Sequence, residues 1–146
     1  MRSEPIIVPA TYKDIRIPAE RLRAVMLADL LPEDVILECE LALQELLTNL
    51  VDHAYGGDAV RTITINLACD ATRMLIETRD TGKPASVDLE KAVMPDPTDL
   101  AEGGYGLAII KSLVDEVNYK TENGINIWQL IKYLNRTPGK EETHGS

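Results

Sequence analysis

The spacing of apolar positions changes along the chain and divides it into elements. Residues 11–17 (Thr-Tyr-Lys-Asp-Ile-Arg-Ile) alternate and predict a strand that ends at Pro18. Leu22, Val25, Met26 and Leu30 follow at helical spacing and predict a helix over 19–31. Pro32, Glu33 and Asp34 open a second helix, because proline suits a first turn and acids suit the positive end of a helix dipole. That pattern runs to about Tyr55, where Gly56-Gly57 stops it. Residues 62–68 alternate again, with Ile63, Ile65 and Leu67 on one side, and a polar turn at 70–72 leads to a strand over 74–78. From Lys83 to Glu102 periodicity gives way to prolines and acids, which predicts a long loop of the kind that forms lids, with at most a short helix near 88–93. Leu107, Ile110, Leu113 and Val114 restore a helix over 106–116. The runs 117–122 and 125–134 flank Asn123-Gly124, a strong hairpin signal.

Helices cluster early and strands late, apart from the helix at 106–116. That order predicts an α+β sandwich with helices on one face of a mixed, mostly antiparallel sheet, and disfavours alternating βαβ units. Residues 1–134 are expected to form one domain, and the polar segment 135–146 to fray.

Composition narrows the class. A chain of 146 residues with 45% hydrophobic and 27% charged side chains can bury a core of its own. No apolar stretch approaches the roughly 20 residues of a membrane span, and the N-terminus does not read as a signal peptide, so a cytoplasmic protein without membrane contact is expected. The net charge of −9 argues against nucleic acid as a direct partner, since its phosphates would be repelled. Cys39 and Cys69 sit in apolar periodic segments without metal or redox spacing, and read as reduced core residues.

The acids are unevenly placed. Residues 1–30 are nearly balanced, whereas 33–58 hold acids from Glu33 to Asp58 and no Lys or Arg. On a helical wheel Leu43, Leu46, Leu47, Leu50, Val51 and Ala54 form an apolar face, and Glu45, Asn49, Asp52 and His53 share the opposite stripe. A solvated face is the ordinary explanation of such a stripe. The lack of basic residues one turn away points instead to a hard cation with oxygen ligands. Asn49 is the better single ligand for magnesium, and Glu45, one turn earlier, is placed to orient or deprotonate a nucleophile near a terminal phosphate. His53 reads as structural or as a hydrogen-bonding neighbour.

Two glycine motifs follow. Asp80 ends a strand two residues before Gly82; it is either a plain turn aspartate or a pocket-floor carboxylate that accepts from an adenine amino group. Gly103-Gly104-Tyr105-Gly106 precedes a helix, so it serves either as a simple cap or as backbone N–H groups offered to phosphate. The cluster does not follow a strand, which excludes a Rossmann motif, and no GxxxxGK[ST] run is present.

Taken in order, Glu45-x-x-Thr48-Asn49-x-x-x-His53-x-Tyr55, Asp80-x-Gly82-Lys83-Pro84 and Gly103-Gly104-Tyr105-Gly106-Leu107, followed by Lys111-Ser112-Leu113-Val114, resemble the N, G1 and G2 boxes of the GHKL ATPases. Over roughly residues 10 to 134 the pattern resembles the bacterial anti-sigma-factor serine kinases of the RsbW type. The resemblance implies a Bergerat-type, histidine-kinase-like ATP-binding sandwich with nucleotide held under a lid, and ATP with Mg2+ as cofactors. It implies Glu45 as catalytic residue and Asn49 as magnesium ligand. It further implies an ATP site of Asn49, Asp52, His53, Asp80, Gly82, Gly104, Tyr105, Gly106 and Leu107, with Asn126 in place of a polar threonine. Arg23 falls where the family places an arginine that contacts protein partners.

The implied activity is a serine/threonine protein kinase that phosphorylates a small antagonist protein in partner switching. A sigma factor and a second copy of the chain are further partners that the family admits. Two departures stand out: Pro84 replaces the second glycine of DxGxG, and Glu102 stands where some members carry a lid arginine, with no basic residue in 92–105. The second of these favours an alternative, a catalytically weak ATP-binding module that acts by sequestration. A histidine-kinase catalytic fragment is a third, weaker reading, because no phosphoacceptor helix precedes the domain.

Overall fold

The computed structural model describes residues 2–54, 61–82 and 106–134. Its elements run β1 (Ile6–Pro9), α1 (Arg16–Ala28), α2 (Glu33–Asn49) with a π-helical turn at Leu50–Ala54, β2 (Thr62–Cys69), β3 (Arg73–Asp80), α3 (Gly106–Leu113), β4 (Glu116–Glu122) and β5 (Ile125–Tyr133). The strands form one sheet in the order β1-β2-β3-β5-β4, and every pairing among the described residues is antiparallel, in line with the mostly antiparallel sheet expected.

One sheet face is apolar because strand side chains alternate. Ile63, Ile65, Leu67 and Cys69 of β2 and Met74 and Ile76 of β3 are buried on it. They share one core with Leu22 and Met26 of α1 and with Ile36, Leu43, Leu46 and Leu47 of α2. The apolar stripe of α2 is thus the face that packs, and Glu45 and Asn49 lie off it, half-buried. α3 packs along α2. Lys132 of β5 pins the pair from below: Nζ donates to Glu38 Oε1 at 2.8 Å and to the carbonyl of Leu113 at 3.0 Å. Burial works to lower the pKa of this ammonium, but the hydrogen bond and charge of Glu38 outweigh it and hold the value above the ordinary one.

Three expectations from periodicity are corrected. Residues 11–17 are not a strand. Thr11 Oγ1 donates to Asp14 Oδ2 at 2.6 Å and accepts from the Asp14 N–H at 3.1 Å, closing a turn from which α1 starts at Arg16. Pro18 therefore sits in a first helical turn, where its missing N–H costs nothing, instead of ending a strand. The second helix loses α geometry after Asn49 and continues as the π turn, and α3 stops at Leu113, so that Glu116 opens β4. A short strand at Ile6–Pro9 was not expected; Ile6 and Val8 face the core opposite Ile65 and Ile63.

The hairpin appears as expected. Asn123 and Gly124 adopt φ of 55° and 79°, the two positive values that a type I′ turn requires. No helix among the described residues is long and apolar enough to cross a membrane. The long loop expected between Lys83 and Glu102 and the terminal segment 135–146 lie outside the described residues.

Candidate functional site

Two clusters of polar groups occupy the helix-covered side of the sheet. The first forms where β3 ends beside the start of β5. The type I′ turn fixes the β4–β5 register, and β5 in turn places Asn126 directly across from Asp80. Both are buried, exposed by 2% and 3%. Asp80 Oδ1 accepts from Asn126 Nδ2 and from the backbone N–H of Gly82, each at 2.9 Å. Asn126 Nδ2 also donates to the Gly82 carbonyl at 2.9 Å, so one amide clamps the aspartate and the turn after it. Its own oxygen accepts from Tyr119 Oη at 3.2 Å and from Thr121 Oγ1 at 3.4 Å. The second carboxylate oxygen, Asp80 Oδ2, is buried without a hydrogen-bond partner among the described residues. A buried acceptor left in this state costs about 1–3 kcal/mol, so the site is built to receive a donor from outside.

The second cluster joins the end of α2 to the start of α3. A Cβ placed on Gly106 would lie 2.4 Å from Asn49 Nδ2, 2.9 Å from Asn49 Oδ1 and 2.9 Å from Glu45 Oε2. Only a glycine lets the first turn of α3 approach these side chains so closely. Glu45 and Asn49 therefore stand beside a helix N-terminus, whose unpaired N–H groups and dipole favour anions. The side chain of Leu107 is buried in the core, which leaves its backbone as the part that can face a ligand.

These donors suit magnesium in a limited sense. One amide oxygen and one carboxylate are hard ligands, too few to hold an ion alone and enough for one that completes its shell with phosphate and water. Among the described residues no group of three or more His, Cys, Asp and Glu is arranged to hold a metal.

Other expected site residues lie apart. Asp52, in the π turn, is exposed and accepts a hydrogen bond from Tyr12 Oη. A π turn advances the chain by fewer degrees per residue than an α turn, which rotates Asp52 relative to the Glu45–Asn49 row; single π turns recur at functional sites. The backbone of His53 lies in the same turn, and its side chain is outside the described set; Gly104 and Tyr105 are outside it altogether, as are Glu102 and Pro84. Arg23 is on α1 and paired with α2, at 2.7 Å from Glu40 and 2.8 Å from Glu33. The hydrogen bond to Glu40, then that to Glu33, holds its guanidinium above the ordinary pKa. Tyr119, which supports Asn126, was missed because nothing in its strand marks it; only the register shows it.

The histidine kinase-like ATPase domain matches residues 8–132. The chain belongs to this family. Within it, the sequence is 30% identical over 109 residues to the serine-protein kinase RsbW of Bacillus licheniformis, covering 70% of this chain and 68% of that protein. It is 31% identical over 108 residues to the RsbW of Bacillus subtilis (70% and 67%) and 32% identical over 110 residues to that of Staphylococcus epidermidis (70% and 69%).

Two solved structures share the fold. One is a chain in the SiaB–SiaC complex of Pseudomonas aeruginosa, with TM-score 0.59, 15% identity and 91% of each chain covered. The other holds the RsbU and RsbW domains of Rv1364c from Mycobacterium tuberculosis, with TM-score 0.62 and 21% identity, covering 92% of this chain and 34% of that one. The chain is an RsbW-type member of the histidine kinase-like ATPase family.

Proposed function

We propose that the chain is an ATP-dependent serine/threonine protein kinase that phosphorylates a small antagonist protein and regulates by partner switching. The observation that carries this reading is the buried, unpartnered Oδ2 of Asp80, an acceptor held ready for an adenine amino group by Asn126 and Gly82. The triphosphate then runs toward the first turn of α3, where Gly106 meets Asn49 and Glu45. Asn49, with Glu45 beside it, would hold Mg2+, which supplies charge neutralisation to the phosphates. The Glu45 carboxylate accepts the proton of the substrate hydroxyl as its oxygen bonds to the γ-phosphorus; the bond to the bridging oxygen breaks and ADP leaves.

Binding of a sigma factor through the Arg23 region, pairing of two copies and a cytoplasmic setting belong to the same reading. Leu27 of α1, Leu30 just after it, and Leu37 and Leu41 of α2 are exposed on the two helices that the Arg23 ion pairs join, which supports a protein-facing surface there. The test is direct. Purified chain should gain thermal stability with ATP and Mg2+, and should transfer labelled phosphate to a candidate antagonist domain. No ATP-dependent shift removes the reading; a shift without transfer leaves the sequestration module, which Glu102 favours.

A further inference from the structure

At the corner between α1 and α2 a leucine stands where the fold alone favours a glycine. The Leu30 N–H donates to the Leu27 carbonyl at 3.0 Å and the Leu31 N–H to the Met26 carbonyl at 3.1 Å, the two bonds of a Schellman cap. Such a cap needs one left-handed residue, and Leu30 supplies it with φ of 59°. Glycine adopts that conformation freely, whereas a leucine adopts it against its own Cβ. Leu31 and Met26 are buried in the core, but Leu30 is 89% exposed. Its side chain therefore strains the backbone, leaves apolar surface in water and adds almost nothing to the core.

Leu30 has apolar company. Arg23, Leu27 and Leu30 follow one another four and three residues apart down α1 and off its end, and Glu33, Leu37 and Glu40 do the same along α2. Arg23 joins the two rows, since it bonds Glu33 and Glu40 on either side of Leu37, at 2.8 and 2.7 Å. Leu41 lies one turn beyond Leu37, and Leu27, Leu37 and Leu41 are each close to half-exposed. The result is an apolar strip across two helices that ion pairs hold together. Its margin is acidic. One guanidinium answers two carboxylates, Asp34 is exposed beside Glu33, and residues 33–58 contain no Lys or Arg.

We infer that this strip docks a basic amphipathic helix of a partner protein. The inference deepens the partner-binding half of the reading above and rests on that half alone. Apolar side chains spaced i, i+3, i+4 and i+7 on the incoming helix cover the leucines, and lysines or arginines along its flanks meet Glu33 and Asp34. A second copy of this chain suits the strip less well, because a two-fold axis through it would set the same acidic turn against itself. The corner lies at the opposite end of α2 from Asn49, about 24 Å away along the helix, so a partner seated here does not cover Glu45 and Asn49.

Fluorescence anisotropy tests this with the full chain and a labelled helical peptide of about 18 residues, leucines on one face and lysines elsewhere. One control peptide keeps the leucines and replaces lysine by glutamate, and a second scatters the same leucines and lysines around the helix. Wild type should bind the first peptide about tenfold or more tightly than either control, and more weakly as salt rises. Leu30→Gly and Leu37→Gln should each weaken that binding about tenfold. Leu30→Gly should also melt at or above the wild-type temperature, because glycine suits the cap. A leucine kept for the fold predicts the reverse, a lower melting temperature and unchanged peptide affinity.

Equal binding of the lysine and glutamate peptides overturns the inference, and so do variants that bind like wild type. A wild-type dimer in light scattering that Leu30→Gly turns into monomers overturns it as well, and gives the strip to a second copy. ATP titrations of the same samples keep the two readings apart. A chain that binds the peptide but no ATP removes the kinase reading and leaves this surface, and one that binds ATP but not the peptide removes this surface alone.

Discussion

Asn126 faces Asp80 across the β3–β5 ladder and donates to its Oδ1 at 2.9 Å, while the other carboxylate oxygen is left without a partner. The geometry assigns the two oxygens different work: one is committed to holding the corner, and the other is reserved. Removing the amide uncouples them. Asn126→Ala should cost about 1–3 kcal/mol of stability, since a buried charge-bearing acceptor loses a donor. It should also weaken ATP binding, because the Gly82 N–H is then, among the described residues, the one remaining donor that orients the carboxylate. Thermal denaturation and calorimetry on the same protein check both, and unchanged ATP affinity with reduced stability would show that the clamp serves only the fold.

Much of this corner was legible in the chain. Asn123-Gly124 demands a two-residue turn, and that turn fixes which residues of β4 and β5 meet. Asp80-Thr81-Gly82 reads as a turn, and the period-2 pattern puts Thr78 on the same face as Asp80. What could not be read was pairing between distant strands. The Asp80–Asn126 register depends on β3 lying beside β5, which no local pattern states. The same limit explains the short strand at Ile6–Pro9, whose four residues become a strand only against β2. The false strand at 11–17 has a different cause. Its alternation is real, but Thr11 and Asp14 capture each other's polar groups and turn the chain before a ladder can form. The Gly106 contact was half legible, since the glycine signals close approach but not what approaches.

The buried thiol of Cys39 sets an alkaline limit on stability. Burial pushes its pKa up from 9.0 to about 12, against a smaller opposing effect of Lys132. A raised acid pKa means that the folded state prefers the neutral thiol. The contribution is fully present below the unfolded value and is lost as pH rises through 9 toward 12. By pH 10.5 the loss amounts to about 2 kcal/mol. Cys39→Ala will be less stable than wild type at pH 7.5 because it leaves a cavity, but the gap should narrow steadily in melts taken at pH 9, 10 and 10.5. A constant gap would refute the assignment. Iodoacetamide should leave Cys39 unmodified at pH 8.5 until the protein unfolds.

Glu45 and Asn49 share one turn of α2 and one neighbour, Gly106, yet the proposed mechanism asks different things of them. Asn49→Ala removes the amide oxygen that would hold magnesium, so ATP affinity should no longer rise when Mg2+ is added. Glu45→Gln keeps size and hydrogen bonding and removes the base. It should bind Mg2+ and ATP within about threefold of wild type and transfer phosphate about 10²–10⁴-fold more slowly. Titrations with and without Mg2+, beside single-turnover transfer, separate the two. If Glu45→Gln transfers at the wild-type rate, the proton goes elsewhere and Glu45 is not the base.

Gly106→Ala isolates the close approach of α3 to α2. The added methyl would overlap Asn49 Nδ2 at 2.4 Å and crowd Glu45 Oε2 at 2.9 Å, so one of these side chains must move. Both are half-buried ends of side chains and can swing aside, and alanine is the better helix former by about 1 kcal/mol. The fold should therefore survive, with a melting temperature within about 4 °C of wild type. The cost falls on the site: Mg2+-dependent ATP affinity should drop about tenfold or more, because the displaced Asn49 no longer lies where α3 presents its N–H groups. Stability retained together with lost Mg2+ dependence would mark the glycine as serving the ligand. A variant that keeps full Mg2+-dependent affinity would show that the contact between Gly106 and Asn49 is packing alone, and would move the phosphate site off this end of α3.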